Sequence, residues 1–498
     1  MSEAVRETYD VVVLGGGPAG EVAAERVVKG GLSAVLVEAE LFGGECSYWA
    51  CMPSKALIRP VTAVHAARNL AGASQAVTGE IDVAALLARR DSFAAHWHDD
   101  GQVDWATGAG IDVRRGRARI LAPGLVEVSA PSADTVVLRA RQAVILATGS
   151  APSVPPIPGL ADIEFWGTRE ATSAHELPQS LIVLGGGVSG TELSQLYARL
   201  GVRVIQLVRG ELLRSLPTPA RDLLVGALRA DGVDLRQGVS PLAIRRDASG
   251  VEVDLPSGSS HPSQGGSGAG AAGVETLHAA ELLVATGRHP ALEGLGLEQL
   301  GLDPKSLRTD STGLVLGLSG GEPPTGSQDD WLYAVGDAAG KVLLTHQGKY
   351  EARATGDAIV ARSHGPLDPQ PWSASTQTAD EWAVPSVVFT DPEIAQVGLS
   401  LEQAAAAGLP AAEVSLPLAV AGSALASDSY QGWAQLVYDA ERRVLLGATF
   451  AGPEVAELLH SATVAIVGEV PLERLWHAVP AYPTISEVWL RLLEKLGL

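Results

Sequence analysis

Cysteine is almost absent from this chain of 498 residues, which holds only Cys46 and Cys51, both within GGECSYWACMPSK at 43–55. In a reducing compartment, a lone pair of cysteines is more often catalytic or metal-binding than a structural cross-link. Two thiolates with no histidine or further cysteine nearby supply only half of a zinc site, so we expect no bound metal. The cysteine pair is therefore the first candidate for chemistry.

Long apolar runs are also lacking. No stretch approaches the roughly 18 uninterrupted apolar residues that a membrane-spanning helix needs. The N-terminal segment MSEAVRETYD has neither the basic region nor the cleavage site of a secretory signal. From the sequence we therefore expect a cytoplasmic protein that does not act at a membrane.

Basic residues are scarce. The chain has 36 Lys and Arg against 57 Asp and Glu, which gives a formal net charge of -21 at pH 7. With no basic block to offset this repulsion, we expect no binding of nucleic acid or of an anionic membrane. The 56 glycines and the 46% hydrophobic content fit an α/β protein with many tight turns. A chain of this length is expected to form three or four domains.

The segment YDVVVLGGGPAGEVAAERVVKGGLSAVLVEAE has the pattern of a strand, a glycine turn, a helix and a second strand. Gly15 permits the tight bend, Gly17 lets a pyrophosphate approach the backbone, and Gly20 lets the helix pack on the strand. Glu38, at the end of the second strand, can accept hydrogen bonds from a ribose diol. We favour nucleotide binding here over a turn with no ligand.

A second turn of this kind occurs in LIVLGGGVSGTELSQLYARLGVRVIQLVRG, with Gly185, Gly187 and Gly190. Its second strand ends without a carboxylate, and Arg209 and Arg214 follow instead. Guanidinium groups bind a 2'-phosphate that a carboxylate would repel. This pattern favours NADPH, with NADH possible; the alternative is that both arginines are ordinary surface residues.

Four further motifs follow in order: ILATGS at 145–150, LLVATGRHP at 282–290, LYAVGDAAG at 332–340 and VPSVVFTDPEIAQVG at 384–398. With the two glycine turns and the cysteine segment, they resemble the FAD-dependent pyridine nucleotide-disulfide oxidoreductases over nearly the whole chain. This family includes lipoamide dehydrogenase, glutathione reductase and mercuric reductase. The resemblance implies an α/β fold with two Rossmann-like FAD- and NAD(P)-binding domains and a C-terminal α+β dimerisation domain.

The expected domain boundaries follow from the positions of these motifs. They are 1–155 for the first part of the FAD domain, 156–287 for the NAD(P) domain, 288–362 for the second, central part of the FAD domain, 363–382 for a linker and 383–498 for the dimerisation domain. The stretches 256–273, 319–330 and 363–381 are expected to be mobile insertions, the first because it is rich in Gly and Ser.

The resemblance also implies roles for individual residues. Cys51 faces the flavin, Cys46 attacks the substrate, and Lys55 pairs with Glu192 near the flavin. In a homodimer, Tyr482 and Glu487 come from the partner chain, so that the active site is shared. The expected cofactor-binding residues are Gly15, Gly17, Gly20, Glu38, Lys55, Thr148, Gly149 and Asp337 for FAD, and Gly185, Gly187, Gly190, Arg209, Arg214 and Gly287 for NAD(P)H.

The cysteine segment has physical features that suit a reversible disulfide. A helix beginning near Pro53 would favour the thiolate of Cys51 through its dipole. The alternative is two unconnected buried thiols. Tyr48 and Trp49 stand between the cysteines where the family has small and amide residues. These aromatic residues either pack the loop or offer the acceptor a flat apolar surface, and the sequence does not separate the two.

The sharper departure from the family is in AVPAYPTISE, where Tyr482 occupies the position of a catalytic histidine and Glu487 is retained. A phenol with a pKa near 10 is a poor base at neutral pH, unlike an imidazole with a pKa near 6.5. His460 and His477 are nearby in sequence, but we expect them to be surface or packing residues. The C-terminus LRLLEKLGL also lacks the cysteine pair of mercuric reductases.

The sequence thus favours an FAD enzyme that passes electrons from NADPH to the Cys46–Cys51 disulfide, and from there to a disulfide or another thiol-reactive acceptor. The alternative is direct reduction of a quinone or another small oxidant by the flavin, which needs no proton relay through Tyr482. Activity like that of mercuric reductase or dihydrolipoamide dehydrogenase is less favoured, as is a non-enzymatic role as a partner-binding flavoprotein subunit.

Overall fold

A computed structural model describes residues 5–131, 133–257, 273–318 and 330–498. Its contacts divide the chain into two compact units. The first unit comprises Met1–Met52, Asp91–Ala151 and Arg288–Asp380, and the second comprises Pro53–Arg90, Pro152–Gly287 and Glu381–Leu498. No helix in the described ranges has both the length and the apolar character that a bilayer crossing requires.

The α-helices of the described residues are α1 (Pro18–Lys29), α2 (Gly44–Tyr48), α3 (Cys51–Arg68), α4 (Val83–Phe93), α5 (Asp100–Gly108), α6 (Thr168–Ser173), α7 (Val188–Arg199), α8 (Thr218–Ala230), α9 (Thr345–His364), α10 (Ala379–Trp382), α11 (Leu401–Ala406), α12 (Ala421–Ala426), α13 (Leu459–Val467), α14 (Leu472–Leu475) and α15 (Glu487–Lys495).

The strands are β1 (Val5–Leu14), β2 (Ala34–Glu38), β3 (Asp112–Arg115), β4 (Arg117–Ala122), β5 (Leu125–Ala130), β6 (Ala133–Leu146), β7 (Ser150–Pro152), β8 (Ser180–Leu184), β9 (Arg203–Val208), β10 (Asp234–Gln237), β11 (Ala243–Asp247), β12 (Gly250–Pro256), β13 (Val274–Ala279), β14 (Glu281–Val284), β15 (Arg288–Pro290), β16 (Leu332–Ala334), β17 (Pro385–Val388), β18 (Glu393–Gly398), β19 (Ala411–Pro417), β20 (Trp433–Asp439) and β21 (Leu445–Gly452).

The first unit is built on a mixed sheet in the order β3-β2-β1-β6-β5-β4, with β16 also paired to β6. Strands β3, β2, β1, β6 and β16 are parallel, while β5 and β4 join as antiparallel strands. The parallel strands are apolar runs, and Val11, Val12 and Val13 of β1 are all fully buried. Burial of both faces is what such a run predicts for a central parallel strand.

The second unit contains a parallel sheet in the order β10-β9-β8-β14 and an antiparallel sheet in the order β11-β12-β13. Its C-terminal part is an antiparallel sheet in the order β17-β18-β21-β20-β19, on which α13 and α15 pack. The fold expected from the sequence is confirmed: two βαβ nucleotide-binding arrangements and a C-terminal α+β region.

The contact division is coarser than the expected domains, because it places residues 152–287 and 381–498 in one unit. It groups residues 53–90 with the second unit and residues 288–380 with the first. The expected domain boundaries stay a prediction. Within the expected linker, residues 363–382, Thr376 and Gln377 are 2% and 3% exposed, and the Gln377 side-chain amide donates to Thr355 Oγ1 at 2.9 Å. The segment packs because its polar groups find buried partners. The expected insertions 256–273 and 319–330 lie almost entirely outside the described residues.

The contact between helix α1 and strand β1 depends on the missing side chain of Gly20. A Cβ built on Gly20 would lie 1.9 Å from the carbonyl oxygen of Gly15, which is backbone and has no freedom to move aside. Gly17, at the start of the same helix, has φ -78° and ψ 179° and would place a Cβ 3.9 Å from its nearest neighbour, the Gly44 Cα.

We therefore expect Gly20→Ala to destabilise the protein by about 1–3 kcal/mol or more, because the added methyl group forces the helix away from the strand. Gly226→Ala is the control, since Gly226 lies within α8, away from both glycine turns, and a Cβ there would meet nothing within 4 Å. Urea unfolding followed by circular dichroism measures both. Equal stability of Gly20→Ala and the wild type would contradict the packing argument.

Candidate functional site

Glu38, at the end of β2, is held beside the first glycine turn by backbone amides. Its Oε2 accepts a hydrogen bond from the N–H of Gly16 at 2.7 Å, and its Oε1 accepts one from the N–H of Glu40 at 2.7 Å. Burial raises the pKa of Glu38, and the backbone hydrogen bonds work in the opposite direction. The turn bends at Gly15, with φ +109°, a left-handed conformation that only glycine adopts without strain.

Asp337 is oriented by a chain of two hydrogen bonds. The hydroxyl of Ser150 donates to Asp337 Oδ2, and Arg288 Nε donates to Ser150 Oγ at 2.7 Å. Arg288 also donates to the backbone carbonyl of Ser150 at 2.6 Å. Thr148, two residues before Ser150, has a buried hydroxyl with no partner among the described residues. These contacts place polar groups of the ILATGS and LYAVGDAAG motifs together.

Glu351 of α9 holds the turn at Gly336, immediately before Asp337. Its side chain is 0% exposed, and its Oε2 accepts a hydrogen bond from the N–H of Gly336 at 2.7 Å. Burial, followed by the negative charge of Asp380, raises the pKa of Glu351 to about 8. At neutral pH this carboxyl group is therefore largely protonated.

The two cysteines are close together as thiols, with Cys46 in α2 and Cys51 at the first residue of α3. Helix α3 thus begins two residues before the expected start near Pro53. The pKa of Cys46 is raised, mainly because it hydrogen-bonds to Cys51 and because it is buried. Thr345 and Lys349 of α9 act in the opposite direction and lower the pKa of Cys46. The Thr345 Oγ1 lies 3.4 Å from the Sγ of Cys51.

Tyr48 packs the loop between the cysteines. It is 2% exposed, its hydroxyl donates to the carbonyl of Phe42 at 2.8 Å, and its ring meets Trp49 edge-on at 5.6 Å between centroids. Burial raises the pKa of Tyr48 to about 12. Of the two roles left open by the sequence, Tyr48 has the packing role, and only the half-buried Trp49 could offer a surface to an acceptor.

Lys55 and Glu192 form the expected ion pair. Lys55 Nζ lies 2.7 Å from Glu192 Oε2, and Glu192 is 4% exposed. The second carboxylate oxygen, Oε1, accepts a hydrogen bond from the N–H of Phe389 at 2.9 Å, while the Phe389 ring lies 4.9 Å from Lys55 Nζ. Sequence reasoning missed Phe389. Its only signal was its place in VVFTDPE, immediately after a short apolar run.

The second glycine turn matches the first in its packing. Gly185 has φ +132°, and a Cβ there would lie 2.2 Å from the carbonyl oxygen of Ala285. A Cβ on Gly187 would meet nothing within 4 Å, and the same is true of Gly287, with φ +123°. Open space at such glycines leaves room for a ligand to approach the backbone. A Cβ on Gly190 would lie 3.0 Å from Gly185 O, so that this glycine again permits close helix–strand packing.

Arg209 and Arg214 follow β9, and both are exposed. The acidic residue between them, Glu211, is paired with Arg221, whose Nη1 donates to it at 2.7 Å. The end of the strand therefore presents two guanidinium groups and one compensated carboxylate to solvent. Such a surface attracts a phosphate group.

Tyr482 and Glu487 are not joined to one another in this chain. Tyr482 is 77% exposed, whereas Glu487 is 7% exposed and accepts a hydrogen bond from Arg491 at 2.5 Å. The Glu487 Oε2 is buried without a partner in the described part of the chain. His460 and His477 are both exposed.

An open pocket of 420 Å³ lies beside Tyr482 in the second unit, and its wall includes the segment 483–486, which directly follows this tyrosine. Leu425 and Leu458 supply apolar lining, and Glu454 and Glu457 are exposed carboxylates of the same pocket. The C-terminal region thus has a concave surface next to the residue that replaces the expected histidine.

Comparison with known proteins decides the family. Residues 9–365 match the pyridine nucleotide-disulphide oxidoreductase model, and residues 384–492 match the dimerisation domain of the same family. The chain belongs to the pyridine nucleotide-disulphide oxidoreductases. Like its relatives, it is an enzyme that uses FAD with NAD(P)H as electron donor, and its dimerisation domain supports a homodimer.

Individual relatives of this oxidoreductase cover nearly its full length. It is 32% identical to a dihydrolipoyl dehydrogenase of Thermus scotoductus, over 98% of each chain. It is 29% identical to a mercuric reductase of Streptomyces lividans, over 96% of this chain and 94% of the relative. The solved structure of the HOCl-induced flavoprotein disulfide reductase RclA from Escherichia coli superposes with a TM-score of 0.78 at 22% identity, covering 98% and 99% of the two chains. At that identity the likeness is one of fold.

The residues of the first unit fit FAD. The open side of Gly17, the carboxylate of Glu38 and the unpartnered buried hydroxyl of Thr148 are the kinds of group that a pyrophosphate, a ribose and a polar chain require. The assignment of individual residues to the cofactor stays a prediction from the sequence.

The buried carboxyl group of Glu351 generates a pH-dependent prediction for this oxidoreductase. Its pKa is about 8 in the folded protein, against 4.5 for the exposed group. Between these values the folded state binds an extra proton, so the free energy of unfolding falls as pH rises and levels off above about 8. Glu351→Gln removes this decline. We therefore expect the stability of the variant relative to wild type to increase from about pH 5 to about pH 9.

Urea unfolding at both pH values measures this difference. Glu298→Gln, at an exposed carboxylate, is the control and should show no such trend. A Glu351→Gln variant whose relative stability is independent of pH would mean that Glu351 is ionised in the folded protein.

Proposed function

We propose that this oxidoreductase is an NADPH-dependent disulfide reductase that uses Cys46 and Cys51 as its redox-active pair. The observation that carries the proposal is the placement of the two free thiols at the junction of two helices, with Cys46 in α2 and Cys51 at the first residue of α3. Bound FAD supplies the two-electron link between NADPH and this pair. Reduction of the Cys46–Cys51 disulfide by two electrons and two protons gives the dithiol.

The dithiol then reduces the acceptor in two exchange steps. The thiolate of Cys46 attacks one sulfur of the acceptor disulfide and forms a mixed disulfide, and the first product leaves as a thiolate that takes up a proton. The thiolate of Cys51 attacks the sulfur of Cys46, which re-forms the Cys46–Cys51 bond and releases the second product thiol. The acceptor is reduced by the two electrons that the cysteine pair loses.

Lys55 and Glu192 hold part of this site in place. Glu192 is anchored at both oxygens, by Lys55 and by the Phe389 N–H, so the Lys55 ammonium is fixed one helical turn after Cys51 in α3. Glu192 is buried, whereas the Lys55 side chain is 35% exposed, so that loss of Lys55 would leave a buried carboxylate without its opposite charge. We propose that Lys55 presents its charge towards the flavin. In the homodimer, Tyr482 of the partner subunit would then lie at the acceptor side of the site.

Direct reduction of a quinone is a second candidate, favoured by the state of the C-terminal pair. Glu487 is engaged by Arg491 instead of Tyr482, and a phenol is a poor base at neutral pH. A quinone reduced at the flavin would need neither group. Oxidation of dihydrolipoamide has weaker support, because position 482 holds a tyrosine and not a histidine.

Cysteine variants separate the two candidates. We expect Cys46→Ser and Cys51→Ser each to lower NADPH-dependent disulfide reduction by about a thousandfold or more, because thiol–disulfide exchange needs both sulfurs. Quinone reduction should survive in both variants. NADPH oxidation measured against a panel of small disulfides and quinones tests this, with Ser47→Ala as the matched control within the same loop.

Full disulfide turnover by Cys46→Ser would reject the dithiol route. If the wild type reduced quinones but no disulfide, direct quinone reduction would be its function.

The preference for NADPH rests on Arg209 and Arg214. We expect replacement of either by Gln to raise the KM for NADPH by about tenfold or more, since a hydrogen bond to a charged group is worth about 1.5–3 kcal/mol. The KM for NADH should stay unchanged, because NADH has no 2'-phosphate. Steady-state kinetics with both coenzymes measures this.

Arg229→Gln, at an exposed arginine of the last turn of α8, is the control for a general loss of positive charge. A wild-type KM for NADH far below that for NADPH would overturn the coenzyme assignment.

A further inference from the structure

The cysteine pair needs a way to form its thiolate, and the C-terminal pair offers little help. Tyr482 is exposed, and the carboxylate of Glu487 is bound to Arg491. Within the first unit, the hydroxyl of Thr345 at the start of α9 contacts the sulfur of Cys51. A role for this contact rests on the proposed use of the cysteine pair in disulfide reduction.

Thr345 is the first residue of α9, and its Oγ1 lies 3.4 Å from the Sγ of Cys51. A threonine hydroxyl either donates to or accepts from a thiol, but towards a thiolate it is only a donor, because the thiolate has no proton. A hydrogen bond to a charged acceptor is stronger than one between neutral groups. This contact therefore favours the ionised form of the sulfur.

Lys349 follows Thr345 by four residues, so that both side chains project from the same face of α9. Its ammonium group and the Thr345 hydroxyl both lower the pKa of Cys46. The two residues thus oppose the effect of burial on the cysteine pair.

The first turn of α9 is held firmly in position. A Cβ built on Gly348 would lie 3.0 Å from the Cα of Gly336 and 3.5 Å from the Cβ of Ala19, so that the helix contacts both the turn before Asp337 and the start of α1. Close packing of this kind limits the movement of neighbouring Lys349 and, one turn earlier, of Thr345.

We propose that Thr345 is a further catalytic residue, and that Thr345 and Lys349 together stabilise the thiolates of the cysteine pair without an imidazole from the partner subunit. In this step the S–H bond of the cysteine breaks, its electron pair stays on sulfur, and its proton passes to water. The Thr345 O–H donates to the Cys51 sulfur, and the Lys349 charge offsets the new negative charge. No change of oxidation state occurs.

Other titratable groups on the surrounding elements are Glu21 on α1, Glu45 on α2 and His346 on α9. Burial raises the pKa of Glu21 to about 7, and the charge of Lys349 lowers it. Ionised Glu21 would oppose the thiolates in the same pH range. The measurement is therefore made both in the natural chain and with Glu21→Gln.

Because the sequence has two cysteines, replacement of one allows the other thiol to be titrated alone. Cys46→Ser leaves Cys51 as the sole thiol. The ultraviolet absorbance of the Cys51 thiolate is measured in the holoenzyme as a function of pH. The absorbance of the variant with both cysteines replaced by serine is subtracted. We expect Thr345→Val, which keeps the shape but removes the hydroxyl, to move the midpoint up by about one pH unit. At pH values below the midpoint this is about a tenfold loss of thiolate. Thr345→Ser should restore the wild-type midpoint.

With Cys51→Ser, the same measurement follows Cys46. Lys349→Met should raise its midpoint and Lys349→Arg should not, because arginine keeps the charge. Tyr482→Phe should leave both titrations unchanged. Flavin content and thermal stability of each variant check that the site is folded.

Superimposable titrations of Thr345→Val and its parent would overturn the inference, as would an equal shift caused by Tyr482→Phe. Failure of the proposed function is detected by a different measurement, the turnover of a disulfide substrate. If Cys46→Ser kept full disulfide turnover, the dithiol route would fail whatever the titrations gave. If only the titrations failed to move, disulfide reduction through the pair would stand and Thr345 would be a packing residue.

Discussion

The contact between the thiols of Cys46 and Cys51 is the interaction on which the candidate site depends. Cys46 lies in α2 and Cys51 is the first residue of α3, so that only the bend at Trp49 and Ala50 separates the two helices. A sulfur–sulfur bond can therefore form and break with little movement of the backbone. The start of α3 also fixes the orientation of Lys55, one turn further on.

Glutamate carboxyl groups accept hydrogen bonds from backbone amides at three places, two in the first unit and one in the C-terminal region. Glu38 accepts from the N–H of Gly16, Glu351 from that of Gly336, and Glu192 from that of Phe389. Each bond satisfies a backbone donor that a tight turn leaves without a partner in a strand or helix. Burying a carboxyl group is costly, and the raised pKa of Glu38 and Glu351 expresses that cost. The Glu192 carboxylate instead has an opposite charge beside it, since Lys55 Nζ lies 2.7 Å from its Oε2.

The sequence predicted both glycine turns because their residues are close together in the chain. The Lys55–Glu192 pair, whose partners are 137 positions apart, came from the family resemblance and not from a local pattern. Phe389 and Thr345 were missed because each acts through a contact with a residue more than a hundred positions away, Glu192 and Cys51 respectively, and no local pattern records such a contact. The segment 363–382 was predicted as a linker. Thr376 and Gln377 within it are buried, and their side chains donate to the Gln370 carbonyl and to Thr355 Oγ1, which composition does not reveal.

Glu487 finds its charged partner within its own helix. A buried carboxylate without a cationic or hydrogen-bonding neighbour would be strongly disfavoured. Arg491, one turn later in α15, supplies the positive charge. Tyr482, in contrast, is exposed, and its hydroxyl makes no hydrogen bond to Glu487 in the described part of the chain. Under the proposal above, thiolate formation therefore depends on groups close to the sulfurs, which are Thr345 and Lys349 of α9.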